Sequence, residues 1–284
     1  MTESLHTLKE RNVKRLSYAG RLPFYYVERA VISVSAGHIS ISSRGAVGEV
    51  FPAAAVSLLM IGPGCSISTE AVKKISARGC VVCFSGGGGI PFFTNIQGYR
   101  SPKTKIRQFS QVMNPESRLK IAVYLMTKRN EIIDRYTSLP LLKMDDTSSI
   151  KALLLCEARW QKEAYRTMTN KYGIRHWSKQ GDEASPHSPL SLLNHFAYAV
   201  AGSACLHLGL DPNLGFIHGH NRGGGLIFDV ADVFKPALSL ELSFKSLANG
   251  DSVNTMKRQF IRLLREKHFN KQVVGVLEEI RGAE

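Results

Sequence analysis

Four side chains in the second half of the chain have types and spacings that could bind a metal ion. Asp229 and Asp232 are three residues apart in IFDVADVF, so on a helix their carboxylates share one face. His218 follows the short apolar run from Leu214 to Ile217. Carboxylates and an imidazole are common ligands of divalent cations. A histidine and a carboxylate from this stretch could therefore join one further acidic side chain on a single ion.

The further acidic side chain is Glu157, which lies in LLLCEARWQKEAYRTM. Apolar residues from Ile150 to Met168 recur at helical spacing and form one stripe, and Glu157 falls in the middle of it. A carboxylate buried there without a partner would be costly. Two explanations stay open at this point: Glu157 is a metal ligand, or it pairs with a neighbouring Arg or Lys.

Simpler roles are also open for the other candidates. Asp229 could cap a helix N-terminus, and a lone histidine such as His218 is more often a surface or core residue than a ligand. His218-Gly-His220 has the spacing of a zinc pair, but Asn221 and Arg222 supply no further ligand. A zinc site is therefore disfavoured.

Two other motifs are predicted to carry no chemistry. The glycine-rich run from Gly86 to Gly89 is not followed by Gly-Lys-Ser/Thr, so it predicts a turn and not a phosphate-binding loop. Cys80 and Cys83 have C-x-x-C spacing, but residues three apart on a strand face opposite sides. The five cysteines are an odd number in apolar surroundings, and we expect them to be reduced core residues.

The elements that must position these residues change in character along the chain. From Leu22 to about Gln97 the pattern predicts strands, with a helix inserted between Ser68 and Gly79. Alternation at 32–34 and 39–41 indicates half-buried strands, 56–61 is a continuous apolar run, and 80–84 is predicted to be a buried strand. Gly98 to Lys105 is polar and basic and predicts a linker. Helical spacing then covers four ranges: 106–136, 149–172, 189–210 and 255–281. We predict an α+β fold, with a β-rich domain in residues 1–98 and a larger all-α domain in residues 99–284.

The net charge points to a polyanionic partner. Lys and Arg number 37 against 23 Asp and Glu, which gives a formal charge of +14. Such a field attracts nucleic acid, and the alternative is a generally basic soluble protein. No apolar stretch is long enough for a membrane helix, and the N-terminus has no signal core, so we expect a cytoplasmic protein without a membrane partner.

Basic residues near the linker, near the metal-ligand candidates and on one amphipathic helix are the candidates for phosphate contacts, although a solvated helix face is the alternative. They are Arg100, Lys103, Lys105, Arg107, Arg222, Lys235, Lys257, Arg258, Arg262 and Arg265.

Four ordered segments together resemble the CRISPR spacer-acquisition integrases, the most widely shared of the CRISPR-associated proteins. The segments are LLLCEARWQKEAYRTM, LSLLNHFAYAVAGSACLHLGL, GFIHGHNRGGGLIFDVADVFKPAL and, with a likeness to subtype I-F, SLLMIGPGCSISTEAVKKISARGCVVCFSGGGGIPFF. The resemblance covers nearly the whole chain.

The resemblance implies a metal site of Glu157, His218 and Asp232, with Asp229 as a supporting acidic residue. A Mg²⁺ or Mn²⁺ ion there would serve transesterification, in which a foreign DNA fragment is inserted as a new spacer at the CRISPR repeat. The implied partners are double-stranded DNA, a second copy of the chain through its β domain, and a small ferredoxin-like second adaptation protein, sometimes fused to a helicase-nuclease.

Two other functions remain as alternatives. The first is a metal-dependent nuclease of branched or single-stranded DNA that uses the same ligands without an adaptation partner. The second is a non-catalytic DNA-binding scaffold, in which Glu157, His218 and Asp232 are structural.

Overall fold

The computed structural model describes residues 17–43, 48–85, 91–94, 102–175, 177, 188–219 and 223–283. Across these ranges a β-rich region precedes a mostly helical one, which confirms the predicted α+β fold class. The strands are β1 (Tyr25–Val27), β2 (Ala30–Ser35), β3 (His38–Ser43), β4 (Glu49–Val50), β5 (Leu58–Ile61), β6 (Ser66–Ile67), β7 (Val81–Phe84) and β8 (Phe92–Thr94). The helices are α1 (Thr69–Ala77), α2 (Lys103–Met113), α3 (Pro115–Tyr136), α4 (Ile150–Tyr172), α5 (Pro189–Leu208), α6 (Gly225–Lys235), α7 (Glu241–Asn249), α8 (Val253–Glu266) and α9 (Phe269–Gly282).

The strands form two four-stranded sheets, ordered β1-β5-β7-β8 and β4-β3-β2-β6. The antiparallel pair β2–β3 sets Ile32 opposite Ile41, and both are buried, whereas Val31 on the other face is exposed. The predicted half-buried strands are therefore confirmed. Their alternation places one apolar row in the core between the sheets.

The two cysteines of the C-x-x-C motif lie in different cores, as predicted. Cys83 belongs to the large core beneath the helices, and Cys80 belongs to the smaller core between the sheets. Burial raises the pKa of the Cys80 thiol to about 12 and also raises the pKa of Cys83. Neither thiol is suited to redox or metal chemistry. The run from Gly86 to Gly89 lies outside the described residues.

Two of the four ranges with helical spacing, 106–136 and 255–281, are each divided into two helices. Pro115 starts α3, and the Asn114 side chain caps it by accepting a hydrogen bond from the Ser117 N–H. α8 and α9 are divided at His268, which has a left-handed backbone with φ of 51°. Phe269 follows at once and is completely buried, so the break turns α9 into the core.

Helix α5 runs through the centre of the helical region and contacts α6, α7, α8 and α9. The same core includes Leu58, Met60 and Val81, so the helices pack on one face of the β1-β5-β7-β8 sheet. A domain boundary between residues 98 and 99 stays a prediction, because residues 95–101 lie outside the described ranges. No helix in the described part is both long and apolar enough to cross a membrane.

Candidate metal centre

Glu157, His218 and Asp232 come together from three elements: α4, the loop before α6, and α6 itself. One potential ligand atom from each lies within 4.8 Å of the other two. The three side chains are between 13% and 21% exposed, so the site is largely shielded from solvent. The structure thus brings together the three residues that were predicted to share one ion.

Glu157 faces the interior because it lies on the largely buried apolar side of α4. Ser149 caps the start of the helix through the Ala152 N–H, and Gly173 ends it in a left-handed conformation. Glu157 Oε1 lies 2.5 Å from Nη1 of Arg129, which is on α3. The pairing explanation for the buried carboxylate is therefore correct, and it holds together with the convergence on His218 and Asp232.

The loop that carries His218 is shaped by Asp229, which lies in α6 and is 1% exposed. Its carboxylate accepts hydrogen bonds from the backbone N–H groups of Phe216 at 2.5 Å and of Ile217 and His218 at 3.0 Å. Arg118 donates from Nε to the Phe216 carbonyl at 2.7 Å. The expectation that Asp229 could cap a helix N-terminus is wrong, because it lies inside α6 and collects the N–H groups of the preceding loop.

Asp229 also fixes the imidazole of His218. Nδ1 of His218 lies 2.8 Å from Oδ1 of Asp229, and Nε2 lies 3.7 Å from Oδ2 of Asp232. Since Nδ1–H donates to Asp229, the lone pair of the neutral ring is on Nε2 and faces the other two candidate ligands. The ring is thus held in the tautomer that a metal ion needs.

Close backbone packing between the loop and α6 requires glycine at two positions. A Cβ on Gly225 would lie 2.6 Å from the Gly219 oxygen and 2.9 Å from the Asn213 oxygen. A Cβ on Gly215 would lie 2.5 Å from the carbonyl carbon of Gly225 and 2.9 Å from Asp229 Oδ2. Glycine at residue 225 therefore allows the backbone at the start of α6 to approach the backbone of the preceding loop closely.

Charged neighbours set the protonation of the site. Burial acts to raise the pKa of Asp232, but Lys235, Arg129 and His218 outweigh it and lower that pKa. Burial acts to lower the pKa of His218, but the hydrogen bond to Asp229 and the charges of Asp232, Asp229 and Glu157 outweigh it and raise that pKa. The carboxylate of Asp232 is therefore ionised at neutral pH, as a metal ligand must be.

Lys235 is partly buried beside Asp232, with which it forms an ion pair. Its Nζ also donates to the Tyr198 hydroxyl at 3.1 Å and lies 5.1 Å from the centre of that ring. Burial acts to lower the pKa of Lys235, and Asp232 outweighs that effect and raises it. A contact of Lys235 with DNA stays a prediction.

The donor set fits a hard divalent cation. Two carboxylates and one imidazole nitrogen suit Mg²⁺ or Mn²⁺, and the nitrogen favours Mn²⁺ modestly. Ligand atoms around such an ion lie about 3 Å apart when adjacent and about 4 Å when opposite, given bonds of about 2.1 Å. The candidate ligand atoms lie within 4.8 Å of one another, so they would have to move closer together around a bound ion. The identity of the metal stays a prediction.

The basic residues near the linker are partly engaged within the protein. Lys105 lies 3.9 Å from Asp211, and Arg107 donates to the carbonyls of Gly282 and Ala283 at the end of α9. Lys103 begins α2 at the surface. Arg100, Arg222 and His220 lie outside the described residues.

Helix α8 presents its basic residues in two directions. Lys257 is buried, with Nζ at 3.7 Å from the ring centre of Tyr26 and 3.3 Å from Glu28 of the β-rich region. The exposed arginines of α8 instead line a surface groove of about 860 Å³, together with two other cationic residues; the five are Arg21, Arg258, Arg262, Arg265 and Lys271. Contacts of these residues with DNA stay predictions.

Sequence reasoning missed Arg129 and Trp160, which complete the surroundings of Glu157. Arg129 follows Leu125 by four residues and precedes Ile132 by three, so it interrupts an apolar stripe just as Glu157 does. Its guanidinium carbon lies 4.3 Å from the ring centre of Trp160. A buried arginine in an apolar stripe was the signal that could have revealed it.

The fold and the site together define a class of protein. A β-rich region precedes a helical region, and the helical region carries a candidate catalytic metal centre of two carboxylates and an oriented imidazole. Residues 25–137 and 127–273 match the model of the family described as CRISPR associated protein Cas1. These two ranges together cover most of the chain, which belongs to the Cas1 family.

Individual relatives agree with this assignment. A CRISPR-associated endonuclease Cas1 of Pectobacterium atrosepticum is 24% identical in an alignment of 313 positions, gaps included, that covers 95% of each chain. The crystal structure of a TtCas1–DNA complex matches with a TM-score of 0.74 and 24% identity over 91% of this chain and 92% of that chain. A casposase bound to an integration product matches with a TM-score of 0.65 and 14% identity over 92% and 91%. Both structures share the fold.

Proposed function

We propose that the protein is a metal-dependent DNA integrase and endonuclease of CRISPR adaptation, which inserts DNA fragments as new spacers at the CRISPR repeat. The observation that carries this proposal is the convergence of Glu157, His218 and Asp232, with His218 oriented by Asp229, in a member of the Cas1 family. Relatives named as CRISPR-associated endonucleases support it. A bound Mg²⁺ or Mn²⁺ would stabilise negative charge on the reacting phosphate and on the departing oxygen.

The reaction is a transesterification that conserves phosphodiester bonds. The 3′-hydroxyl of the incoming fragment forms a bond to a phosphorus of the repeat, and the bond from that phosphorus to its own 3′-oxygen breaks. The proton lost by the attacking hydroxyl balances the one that the released 3′-oxygen acquires. No oxidant or energy-rich co-substrate is required.

The side chains of the protein divide this task between binding and orientation. Glu157 and Asp232 supply negative charge to bind the cation, and His218 supplies a neutral nitrogen on the side opposite its bond to Asp229. Asp229 accepts from the ring and from the loop backbone, so it orients a ligand without itself having to bind the ion.

The exposed arginines of α8 are the proposed contact with duplex DNA. Arg258, Arg262 and Arg265 line one groove, in a chain of net charge +14. A relative solved in complex with DNA shares the fold. Phosphate contacts need cations that face solvent, and these three residues are exposed on one helix. Arg262 also lies 3.8 Å from Glu266, one turn further along the helix.

The assembly proposed for this chain follows the resemblance to the family. Two copies would pair through the β-rich domain in residues 1–98, and the helical domain in residues 99–284 would carry the chemistry. A small ferredoxin-like second adaptation protein, free or fused to a helicase-nuclease, would join two such dimers in the cytoplasm. The proposed subtype is I-F, and the likeness of the segment SLLMIGPGCSISTEAVKKISARGCVVCFSGGGGIPFF to that subtype supports it.

A strand-transfer assay tests the function. The protein, with and without the second adaptation protein, is incubated with a labelled short duplex and a supercoiled plasmid that carries the repeat, in Mn²⁺ or Mg²⁺. Joining of label to the repeat should require metal, partner and each of Glu157, His218 and Asp232. The matched control is Glu163→Ala, because Glu163 is an exposed glutamate on the same helix as Glu157.

The outcomes separate the candidate functions. Nicking without joining, with no need for the partner, would favour the nuclease of branched or single-stranded DNA. Equal activity of wild type and a folded Glu157→Ala variant would remove the proposed metal site from the chemistry. DNA binding without any metal-dependent strand chemistry would favour the scaffold.

A further inference from the structure

Arg129 is a buried cation at the metal centre to which the proposed chemistry gives no role. It is 4% exposed and lines the same small cavity as Glu157, His218 and Asp232. Its Nη1 lies 2.5 Å from Oε1 of Glu157. An arginine in this position is next to the place where a second positive charge, the metal ion, would bind.

The guanidinium of Arg129 is held on two sides by one helix. Trp160 lies one turn after Glu157 on α4, and the guanidinium carbon is 4.3 Å from its ring centre. The Trp160 indole N–H in turn donates to the Pro140 carbonyl at 2.7 Å. The cation therefore lies over a ring that is itself hydrogen-bonded to the backbone, while it donates to the carboxylate.

The junction between α3 and the segment before α4 is also fixed by direct bonds. Asn130, the residue after Arg129, donates to the Leu142 carbonyl and accepts from the Leu142 N–H, both at 2.8 Å. These bonds limit rotation and sliding of α3 at the position that carries the arginine. The position of the Glu157 carboxylate is therefore fixed by contacts with both α3 and α4, and not by its own flexible side chain alone.

Stability alone does not account for this arginine. Among the described residues, its buried Nε has no hydrogen-bond partner. A buried charged donor without a partner is unfavourable, and apolar residues of similar volume often replace buried ion pairs without loss of stability. Its position beside three candidate ligands therefore points to a role at the site.

We infer that Arg129 is a positioning residue, which holds Glu157 by Oε1 so that the other carboxylate oxygen faces the metal ion. This inference rests on the proposed metal-dependent function. A free glutamate side chain has three rotatable bonds, and ordering it costs binding free energy when the ion arrives. The clamp of Arg129 between Glu157 and Trp160 removes that cost before the ion binds.

The alternative hypothesis is that Arg129 serves only to balance the charge of the site. The two hypotheses predict different effects for lysine at this position. Lysine keeps the positive charge, but it has neither the planar fork nor the stacking surface of arginine. If only charge matters, Arg129→Lys binds metal as the wild type does. If position matters, Arg129→Lys and the neutral Arg129→Gln are both impaired.

The test is a Mn²⁺ titration without DNA, in which electron paramagnetic resonance measures the free ion. The proteins are wild type, Arg129→Lys, Arg129→Gln and the matched control Arg135→Lys, which changes an exposed arginine on the same helix. We expect the dissociation constant for Mn²⁺ to rise about 10- to 100-fold in both Arg129 variants, as is usual when a residue that orients a ligand is lost. The control should match wild type.

The result that overturns the inference is wild-type or tighter Mn²⁺ binding by a folded Arg129→Lys, because the fork and the stacking would then be dispensable. Circular dichroism and thermal unfolding confirm folding, and if one Arg129 variant is unfolded the other decides. His218→Ala in the same titration separates this outcome from failure of the proposed function. If His218→Ala binds Mn²⁺ as wild type does, the metal site itself is wrong and the inference falls with it.

Discussion

Asp229 Oδ1 lies 2.8 Å from His218 Nδ1, and the same carboxylate accepts from the backbone N–H groups of residues 216, 217 and 218. One buried side chain therefore shapes the loop and orients the ring on it. The consequence is that the loop fold and the metal site cannot be changed independently at this position. The effects of substitutions around this pair follow from that coupling.

Replacement of Asp229 by asparagine should weaken both stability and metal binding. The amide of asparagine has about the same volume as the carboxylate. However, the carboxylate has two oxygens that accept from four N–H donors, whereas the amide has only one oxygen. The NH₂ group of the amide would face N–H donors and could not accept from them. We expect a loss of about 2 kcal/mol in the free energy of unfolding and about a 10- to 100-fold weaker Mn²⁺ affinity. Urea unfolding and a Mn²⁺ titration measure the two effects.

The control for this variant is Asp134→Asn, which removes an exposed carboxylate on α3. Wild-type affinity in a folded Asp229→Asn protein would show that the orientation of His218 does not depend on Asp229.

Gly225→Ala should disturb the site from the backbone. The added Cβ would meet the oxygens of Gly219 at 2.6 Å and Asn213 at 2.9 Å, so the loop before α6 must move. We expect the free energy of unfolding to fall by about 1–3 kcal/mol and Mn²⁺ binding to weaken. Gly275→Ala in α9 is the matched control, since its Cβ meets nothing within 4 Å. That control should stabilise the protein by about 0.5–1 kcal/mol; equal effects of the two changes would contradict the packing argument.

A residue of the site could be predicted from the sequence when the pattern of its immediate neighbours indicated its role. Glu157 could be found because an acidic residue interrupts an apolar stripe, and Arg129 gives the same signal on α3. The resemblance implied a supporting role for Asp229, but its hydrogen bonds could not be found from spacing, because they depend on a loop that folds back onto α6. Spacing placed Asp229 and Asp232 on one helix but could not show which of them faces the ion and which the loop.

The same distinction separates the two helix breaks. The break at Asn114 is signalled locally, since asparagine is a good N-cap and Pro115 cannot continue a preceding helix. The break at His268 has no such signal, because a histidine with φ of 51° is set by the burial of Phe269 after it. Long-range packing, and not local propensity, determines the second break.

Metal affinity should fall as the pH is lowered through the raised pKa of His218. Burial acts to lower this pKa, but the bond to Asp229 and the neighbouring carboxylates raise it above its ordinary value in the metal-free protein. The ion needs the neutral ring, so protons compete with it. Mn²⁺ titrations from about pH 5 to 8 measure this competition, because histidine side chains titrate in that range.

The metal-free protein should show the opposite trend in stability. A histidine with a raised folded pKa contributes its full stabilisation below the unfolded pKa and loses it as pH rises through the folded pKa. Unfolding of wild type and His218→Gln across the same range isolates this contribution. A difference between them that does not shrink as the pH rises would contradict the raised pKa.

Charge reversal at Arg258 and Arg262 should weaken duplex binding and reduce its salt dependence. Both side chains are exposed and line one groove, and every phosphate that the variant no longer neutralises keeps about one counterion. The measurement is the dissociation constant for a short duplex at several salt concentrations. The control for each single reversal, Arg258→Glu or Arg262→Glu, is Lys73→Glu, which makes the same charge change on the exposed side of α1. An equally weakened affinity in the control would assign the effect to overall charge.

The most direct test of the central claim, that Glu157, His218 and Asp232 bind one divalent cation, is anomalous X-ray diffraction from crystals of the protein soaked in Mn²⁺. The account predicts an anomalous peak within about 2.3 Å of a Glu157 oxygen, His218 Nε2 and an Asp232 oxygen. It also predicts that the peak is lost in His218→Ala crystals treated in the same way. A well-ordered site without a peak, or a peak held by other side chains, would contradict the account.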